Sequence, residues 1–259
     1  MNNEWVQVRQ EDDVVVVTLH REEAANALSQ DLCDALLQVL EELASSQARV
    51  VVLTGSGQKA FCAGADLKER KGMDIQQVRA AVKRIGRVTQ AVAQLPMPTI
   101  AMLNGVAFGG GLEIALAADL RVAAEHVQMG LTETGLAIVP GAGGTQRLPR
   151  LIGLAKAKEL IFTARRIDAQ EAYRLGLVNQ VVKVNELWTQ TLQLAKEIAK
   201  NGPIAVQSAK WSIEEGIDKS LAEGLHLEWQ AYERVLGSQD RLEGLAAFAE
   251  KRPPQYTGQ

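Results

Sequence analysis

Cysteine and histidine are scarce in this chain of 259 residues, with two of the former and three of the latter. Cys33 and Cys62 fit neither a disulfide framework nor a metal cluster. His20, His126 and His226 lie far apart, without the spacing of metal ligands. Aromatic residues make up only 4% of the chain, so its interior must be packed with aliphatic and small side chains, alanine and the 22 glycines among them. No apolar run approaches the length needed to cross a membrane as a helix. Met1–Trp5 shows neither the basic-then-apolar plan of a signal peptide nor the Arg-rich, acid-poor plan of a transit peptide. A cytoplasmic, reducing setting is the expectation. The formal net charge of −3 offers no overall attraction to nucleic acid or to an anionic membrane. Any anionic ligand must therefore be met by local cations or by backbone N–H groups.

What is present is an ordinary globular mix, 47% apolar and 23% charged, in a length that suits one large domain or a domain with an appendage. β-Branched and apolar runs read as strands at 14–19, 50–53, 99–103, 120–124 and 178–182. Ser29 reads as the N-cap of a helix to about residue 44, with Leu32, Leu36, Leu40 and Leu43 at helical spacing. A second helix spans about 74–94, ended by Pro96 and Pro98. Shorter ones follow near 155–162 and 168–174. Beyond Asn185 the pattern is helix only, at about 185–200, 203–215, 218–236 and 239–250. Strand–helix alternation followed by helices alone indicates an α/β body with a helical appendage. The recurring strand, Gly-rich loop and helix leaves open whether an architectural repeat is present.

Chemistry concentrates in Asn104–Asp119, where Gly109-Gly110-Gly111 runs into an apolar helix pattern carrying one acid, Glu113. The first turn of a helix leaves N–H groups without internal partners and favours negative charge. Such a junction can hold a phosphate, a carboxylate or a developing oxyanion, or its glycines can simply admit a neighbouring backbone. A second loop, Ala63-Gly64-Ala65-Asp66, has the same small-residue character. One N–H from each loop, converging on a carbonyl oxygen, would form an oxyanion hole. A lone acid in an apolar helix is expensive to bury unless paired or used. Glu133, between Thr132 and Thr134 and before Pro140-Gly141-Ala142-Gly143-Gly144, is a second such acid. Two carboxylates around an activated carbonyl suit acid–base chemistry on the adjacent carbons.

Phe61–Leu67, Ile100–Leu120 and Pro140–Leu148, in that order, resemble the crotonase (enoyl-CoA hydratase/isomerase) superfamily across essentially the whole chain. Cys62–Arg70, Ala157–Phe162, Asp240–Leu245 and Lys251–Pro254 are most similar to the methylglutaconyl-CoA hydratase/AU-binding branch. The resemblance implies an α/β fold, a spiral of repeated β-β-α units over 1–200, with a C-terminal helical region at 201–259 that drives trimers or hexamers. It also implies that the N–H groups of Ala65 and Gly110 hold the thioester carbonyl of an acyl-CoA substrate. Glu113 would deprotonate the attacking water, Glu133 would protonate the α-carbon, and the Gly141 N–H would orient the water. CoA belongs to the substrate, and no cofactor or metal is expected.

Hydration of a trans-2-enoyl-CoA to the 3-hydroxyacyl-CoA is the reaction this implies, with 3-methylglutaconyl-CoA as an alternative substrate and double-bond isomerisation as another chemistry. Contacts to CoA and substrate are implied at Ala24, Ala63, Asp66 and Leu67, with Lys59, Lys68 and Lys251 as cations for the phosphates. Glu22-Glu23-Ala24-Ala25 departs from the basic residue family members often place before Asn26-Ala27-Leu28. Asp66 also reads as a loop-fixing acid, and Asp119 with Arg121 as a structural pair. Lys71, Lys83 and Arg84 lie in the stretch that would line the acyl pocket. RNA binding, attributed in that branch to a lysine-rich first helix, is not expected: Ser29–Glu42 has no lysine and is acidic.

Overall fold

The computed structural model describes residues 3–259. Its strands are β1 (Val6–Glu11), β2 (Val14–Leu19), β3 (Val50–Gly55), β4 (Ala60–Cys62), β5 (Thr99–Leu103), β6 (Val106–Phe108), β7 (Leu120–Ala124), β8 (Gln128–Gly130), β9 (Ile167–Asp168) and β10 (Gln180–Val182). Its helices are α1 (Gln30–Ala44), α2 (Leu67–Arg70), α3 (Ile75–Ala93), α4 (Gly110–Ala117), α5 (Gly144–Ile152), α6 (Leu154–Phe162), α7 (Ala169–Arg174), α8 (Leu187–Ala199), α9 (Pro203–Gly216), α10 (Leu221–Leu236) and α11 (Gln239–Glu250).

A six-stranded sheet runs β1-β2-β3-β5-β7-β10, and a four-stranded sheet runs β4-β6-β8-β9. Strands β3, β5 and β7 lie parallel in the first, and β4, β6 and β8 lie parallel in the second. The chain therefore enters the large sheet, crosses to the small one, and returns through a helical segment, three times over. This is the spiral of β-β-α units, and it answers the question of an internal repeat. The repeat lives in the path of the backbone.

Central strands are buried on both faces and so read as unbroken apolar runs: every residue of β3 and β5 is buried. Ser29 caps α1 by accepting from Leu32 N–H, and Leu32, Leu36, Leu40 and Leu43 are buried beneath it. Asp74 and Gln77 close a capping box on α3. Where the structure departs from the sequence pattern, the elements are short or lie at an edge. The stretch 59–68 contains β4 and the start of α2, and 129–135 contains most of β8 and the start of a 3-10 turn over Glu133–Leu136.

Asp119 and Arg121 are structural, but they do not pair with each other. Asp119 accepts from Thr99 N–H at 2.7 Å and from Lys210 Nζ at 2.8 Å. The Arg121 guanidinium donates to the carbonyls of Leu177, Ala115, Ala118 and Asp119. A planar donor fork in a dry place is satisfied by several backbone acceptors as well as by one carboxylate.

Candidate active site

Because β4, β6 and β8 are adjacent and parallel, their C-terminal ends lie side by side, about 4.8 Å apart. The segments leaving those ends carry Ala65, Gly110 and Glu133. Stacking of the repeats thus gathers residues that are far apart in sequence.

Ala65 forms a parallel bridge with Leu28. In it, Leu28 N–H donates to Gly64 O at 2.8 Å and Leu28 O accepts from Asp66 N–H at 3.2 Å. The N–H of Ala65 itself consequently points away from Leu28, toward the cavity. Gly110 opens α4, where the N–H has no intrahelical acceptor. The two loops are in contact: a side chain on Gly64, which sits at φ +96°, would come within 2.7 Å of Phe108 O and 3.4 Å of Gly110 N. Gly111 serves the other use foreseen for the glycine run, since a methyl there would meet Cys62 O at 2.1 Å. The run therefore both admits a neighbouring backbone and presents a free donor.

The first loop is pinned from below by two asparagines. Asn26, fully buried, donates to Ser56 O and Ala60 O. Asn104 donates to the carbonyls of Gly55, Gly57 and Ala60 while accepting from Gly55 N–H. From above, Asp66 caps α2 by accepting from the N–H groups of Lys68 and Glu69, and it pairs with Arg21 at 2.6 Å. Arg21 is held further by the Ala27 carbonyl.

Glu113, 3% exposed, lies one turn into α4. Its Oε1 accepts from Ala142 N–H and Gly144 N–H, both at 2.8 Å. Burial pushes its carboxyl above the usual range, and these two donors, with the fields of Arg147 and Arg70, pull it back. Glu133 has no such pair of donors. Its Oε2 is buried without a hydrogen-bond partner among the described residues. Burial first, and then the charge of Glu113, push Glu133 up to about 7, against the lowering effects of its own backbone N–H and Arg70. The two acids thus sit in different settings: Glu113 is held by two N–H donors, whereas Glu133, with one buried oxygen unpartnered among the described residues, is pushed up to about 7.

Both acids, Ala65 and Gly110 line one cavity of about 510 Å³. Val78, Val82, Ile85, Leu136, Ile138 and Val139 make its walls largely apolar. The enoyl-CoA hydratase/isomerase family model matches residues 9–259. The chain belongs to that family. The Bacillus subtilis protein YngF, described as an enoyl-CoA hydratase/isomerase, is 51% identical over 248 residues, 95% of each chain. Mouse mitochondrial methylglutaconyl-CoA hydratase is 46% identical over 251 residues, 95% of this chain and 80% of that one. The crystal structure of an enoyl-CoA hydratase from Bacillus anthracis superposes with a TM-score of 0.97 at 54% identity, covering 98% of this chain and 100% of the other.

In this crotonase-family enzyme the remaining candidates divide by position. Ala63, Leu67 and Gly141 line the cavity; Asp66 does not, its carboxylate being engaged by Arg21 and the start of α2. Ala24 ends a 3-10 turn over Glu22–Ala24. Lys59 and Lys68 are exposed beside the first loop, and Lys251 is exposed at the end of α11. Of the three cations expected near the acyl pocket, none lines it: Lys71 and Lys83 are exposed, and Arg84 pairs with Asp34 at 2.7 Å. Two arginines close to the acids went unassigned in the sequence. Arg147 donates to Ala142 O at 3.1 Å, bracing the turn whose N–H groups hold Glu113. Arg70, at the end of α2, lines the cavity itself. Cys33 and Cys62 are free and buried, with thiols pushed up to about 12, mainly by burial. They are packing residues and take no part in the site.

Proposed function

We propose that this chain is an enoyl-CoA hydratase, adding water across the double bond of a trans-2-enoyl-CoA to give the 3-hydroxyacyl-CoA. One observation carries the reading: an acid held by two N–H donors and an acid with a buried oxygen unpartnered among the described residues line the same cavity as Ala65 and Gly110. Glu113 takes a proton from water, and the water oxygen bonds to Cβ. The π electrons move through Cα to the thioester oxygen, where the N–H groups of Ala65 and Gly110 stabilise the enolate. The carbonyl re-forms as Cα takes the proton of Glu133. Gly141 lines the cavity wall, and its N–H is assigned to orient the water. Two fixed donors and a divided acid pair suffice for this chemistry, so CoA enters only as part of the substrate.

The assay is hydration of crotonyl-, longer enoyl- and methylglutaconyl-CoA, followed by loss of the conjugated thioester absorbance. Saturable hydration of at least one is expected. Migration of a 3-enoyl double bond without hydration would make the chain an isomerase instead.

The reading extends to assembly and setting. Ile213, Ile217, Leu221, Leu225, Trp229 and Phe248 leave an apolar surface on α9, α10 and α11 that reaches 87% exposure at Phe248. Patches of this kind mark contact surfaces, and we assign them to a homotrimer or a dimer of trimers. Light scattering should read a mass of three or six chains of 28.1 kDa each; a 28.1 kDa species at micromolar concentration overturns the assignment. No helix among the described residues is long and apolar enough to cross a membrane, which is compatible with a cytoplasmic enzyme.

A further inference from the structure

The turn that holds Glu113 is a thin wall. Gly141 and Ala142 line the catalytic cavity on one side and a second cavity, of about 400 Å³, on the other. Three of the four residues from Gly141 to Gly144 are glycines, which leaves this backbone little stiffness of its own. Yet the wall has to present the N–H groups of Ala142 and Gly144 to Glu113 Oε1, both at 2.8 Å. Two donors that line the second cavity fix it from behind. Thr89 Oγ1 and Arg147 Nη1 both donate to Ala142 O, at 2.8 and 3.1 Å. The carbonyl that lies between the two N–H groups in sequence is thereby held away from Glu113. Gly143, at φ +107°, lies against the guanidinium, and a methyl there would come within 2.2 Å of Arg147 Nη1. Arg147 Nη2 reaches Gln90 Oε1 on α3 at 3.4 Å. Both of these acceptors are neutral, so the charge of Arg147 acts on Glu113 and on Glu214 of α9. The other charged groups that face Glu113 are Arg70 from α2 and Glu133.

Resting on the hydratase reading, we propose that Arg147 is a positioning residue for hydration: from behind the wall it holds the two N–H donors on Glu113, and its charge makes Glu113, of the two acids, the one that takes the proton of water. Thr89 supplies a brace of the same kind without a charge. The choice between the acids matters because a proton resting on Glu113 would leave no base for water and no acid for Cα.

The test measures crotonyl-CoA hydration from pH 5 to 8 in the parent, Arg147→Met, Arg147→Lys and Thr89→Val. At pH 7, Arg147→Met should lose roughly 10- to 100-fold in kcat, with KM within a few-fold, since the wall shifts and the oxyanion donors do not. At pH 5 its deficit in kcat/KM should be larger by about threefold or more, because Glu113 without the field of Arg147 keeps its proton to higher pH. Arg147→Lys should keep the parent's pH dependence and recover much of the rate. Thr89→Val should show one deficit at both pH values. A deficit in Arg147→Met that does not grow toward pH 5, or one that grows equally in Thr89→Val, overturns the proposal. Carbon NMR of isotope-labelled glutamate carboxyls, with Glu113→Gln to assign the signal, reads the Glu113 titration without turnover; it should move to higher pH in Arg147→Met. Absent hydration in the parent together with that movement sinks the hydratase reading alone; hydration with an unmoved titration sinks Arg147's role alone. Should Arg147→Met fail to fold, Arg147→Gln, equally uncharged, gives the same comparison.

Discussion

Glu113→Gln should fold like the parent and lose hydration by roughly 10²- to 10⁴-fold, the usual contribution of a positioned general base. The amide oxygen can still accept from Ala142 N–H and Gly144 N–H, which hold Oε1 at 2.8 Å in the parent. The turn that closes the cavity therefore keeps its anchor. What disappears is the capacity to take a proton from water, because an amide is not a base near neutral pH. The loss should fall on kcat, with KM for crotonyl-CoA changed by no more than a few-fold, since Ala65, Gly110 and the apolar walls are untouched. Steady-state kinetics alongside thermal denaturation checks both halves. An activity within threefold of the parent would remove Glu113 from the chemistry. A collapsed melting transition would mean that its charge holds the 140–144 turn and that its oxygen alone does not.

The site was legible where sequence carries the chemistry directly. Three glycine-containing loops and two acids in apolar surroundings suffice to nominate Ala65, Gly110, Glu113 and Glu133 as one constellation, once the family resemblance supplies the order. Strands β2, β3, β5 and β7 were legible too, because strands buried on both faces must be apolar along their length. β1 was not. At the edge of its sheet, Val-Gln-Val-Arg-Gln-Glu alternates exposure and carries charge. The small sheet was hidden for a different reason. Strands β4, β6 and β8 are three residues each, too short to show a period, and glycine-rich neighbours disguise them as loop.

Those hidden strands bring the site together. Their parallel pairing places the Ala65 loop beside the Gly110 loop, and Glu133 beside both. A spiral positions such groups more firmly than a set of long loops would, since each segment lining the cavity leaves a strand already fixed to its neighbours. Arg70 was overlooked because it follows Lys68 and Glu69 in a run that reads as a solvated helix end. One turn of α2, capped by Asp66, orients that end into the cavity. Asp119 and Arg121 show the opposite error: opposite charges two residues apart suggest a pair, yet Lys210 and four backbone carbonyls take their places.

Glu133→Gln should lose activity and gain stability together. In the proposed reaction Glu133 delivers the proton to Cα, so kcat should fall by roughly 10²- to 10⁴-fold. Stability moves the other way because the fold raises Glu133 from 4.5 to about 7. A group raised in this way favours the folded state fully below its unfolded value, and that contribution is lost as pH rises through about 7. Above that point the parent carries an ionised carboxylate whose buried Oε2 lacks a partner among the described residues. Glutamine carries no charge at any pH. The stability gap between variant and parent should therefore widen between pH 5 and 8 by about 1–2 kcal/mol, after halving the full linkage value for solvent screening. Comparing the two pH values cancels any fixed cost of the new amide donors. The same ionisation predicts an alkaline limb near 7 in the parent's kcat/KM, since hydration needs the protonated form. Dehydration needs the same single proton on the pair, held by Glu113 instead, so both directions should share one pH profile. Denaturant titrations at the two pH values, with rate profiles in both directions, make the check. An unchanged stability gap, or an alkaline limb that persists in the residual activity of the variant, would show that Glu133 does not hold the proton.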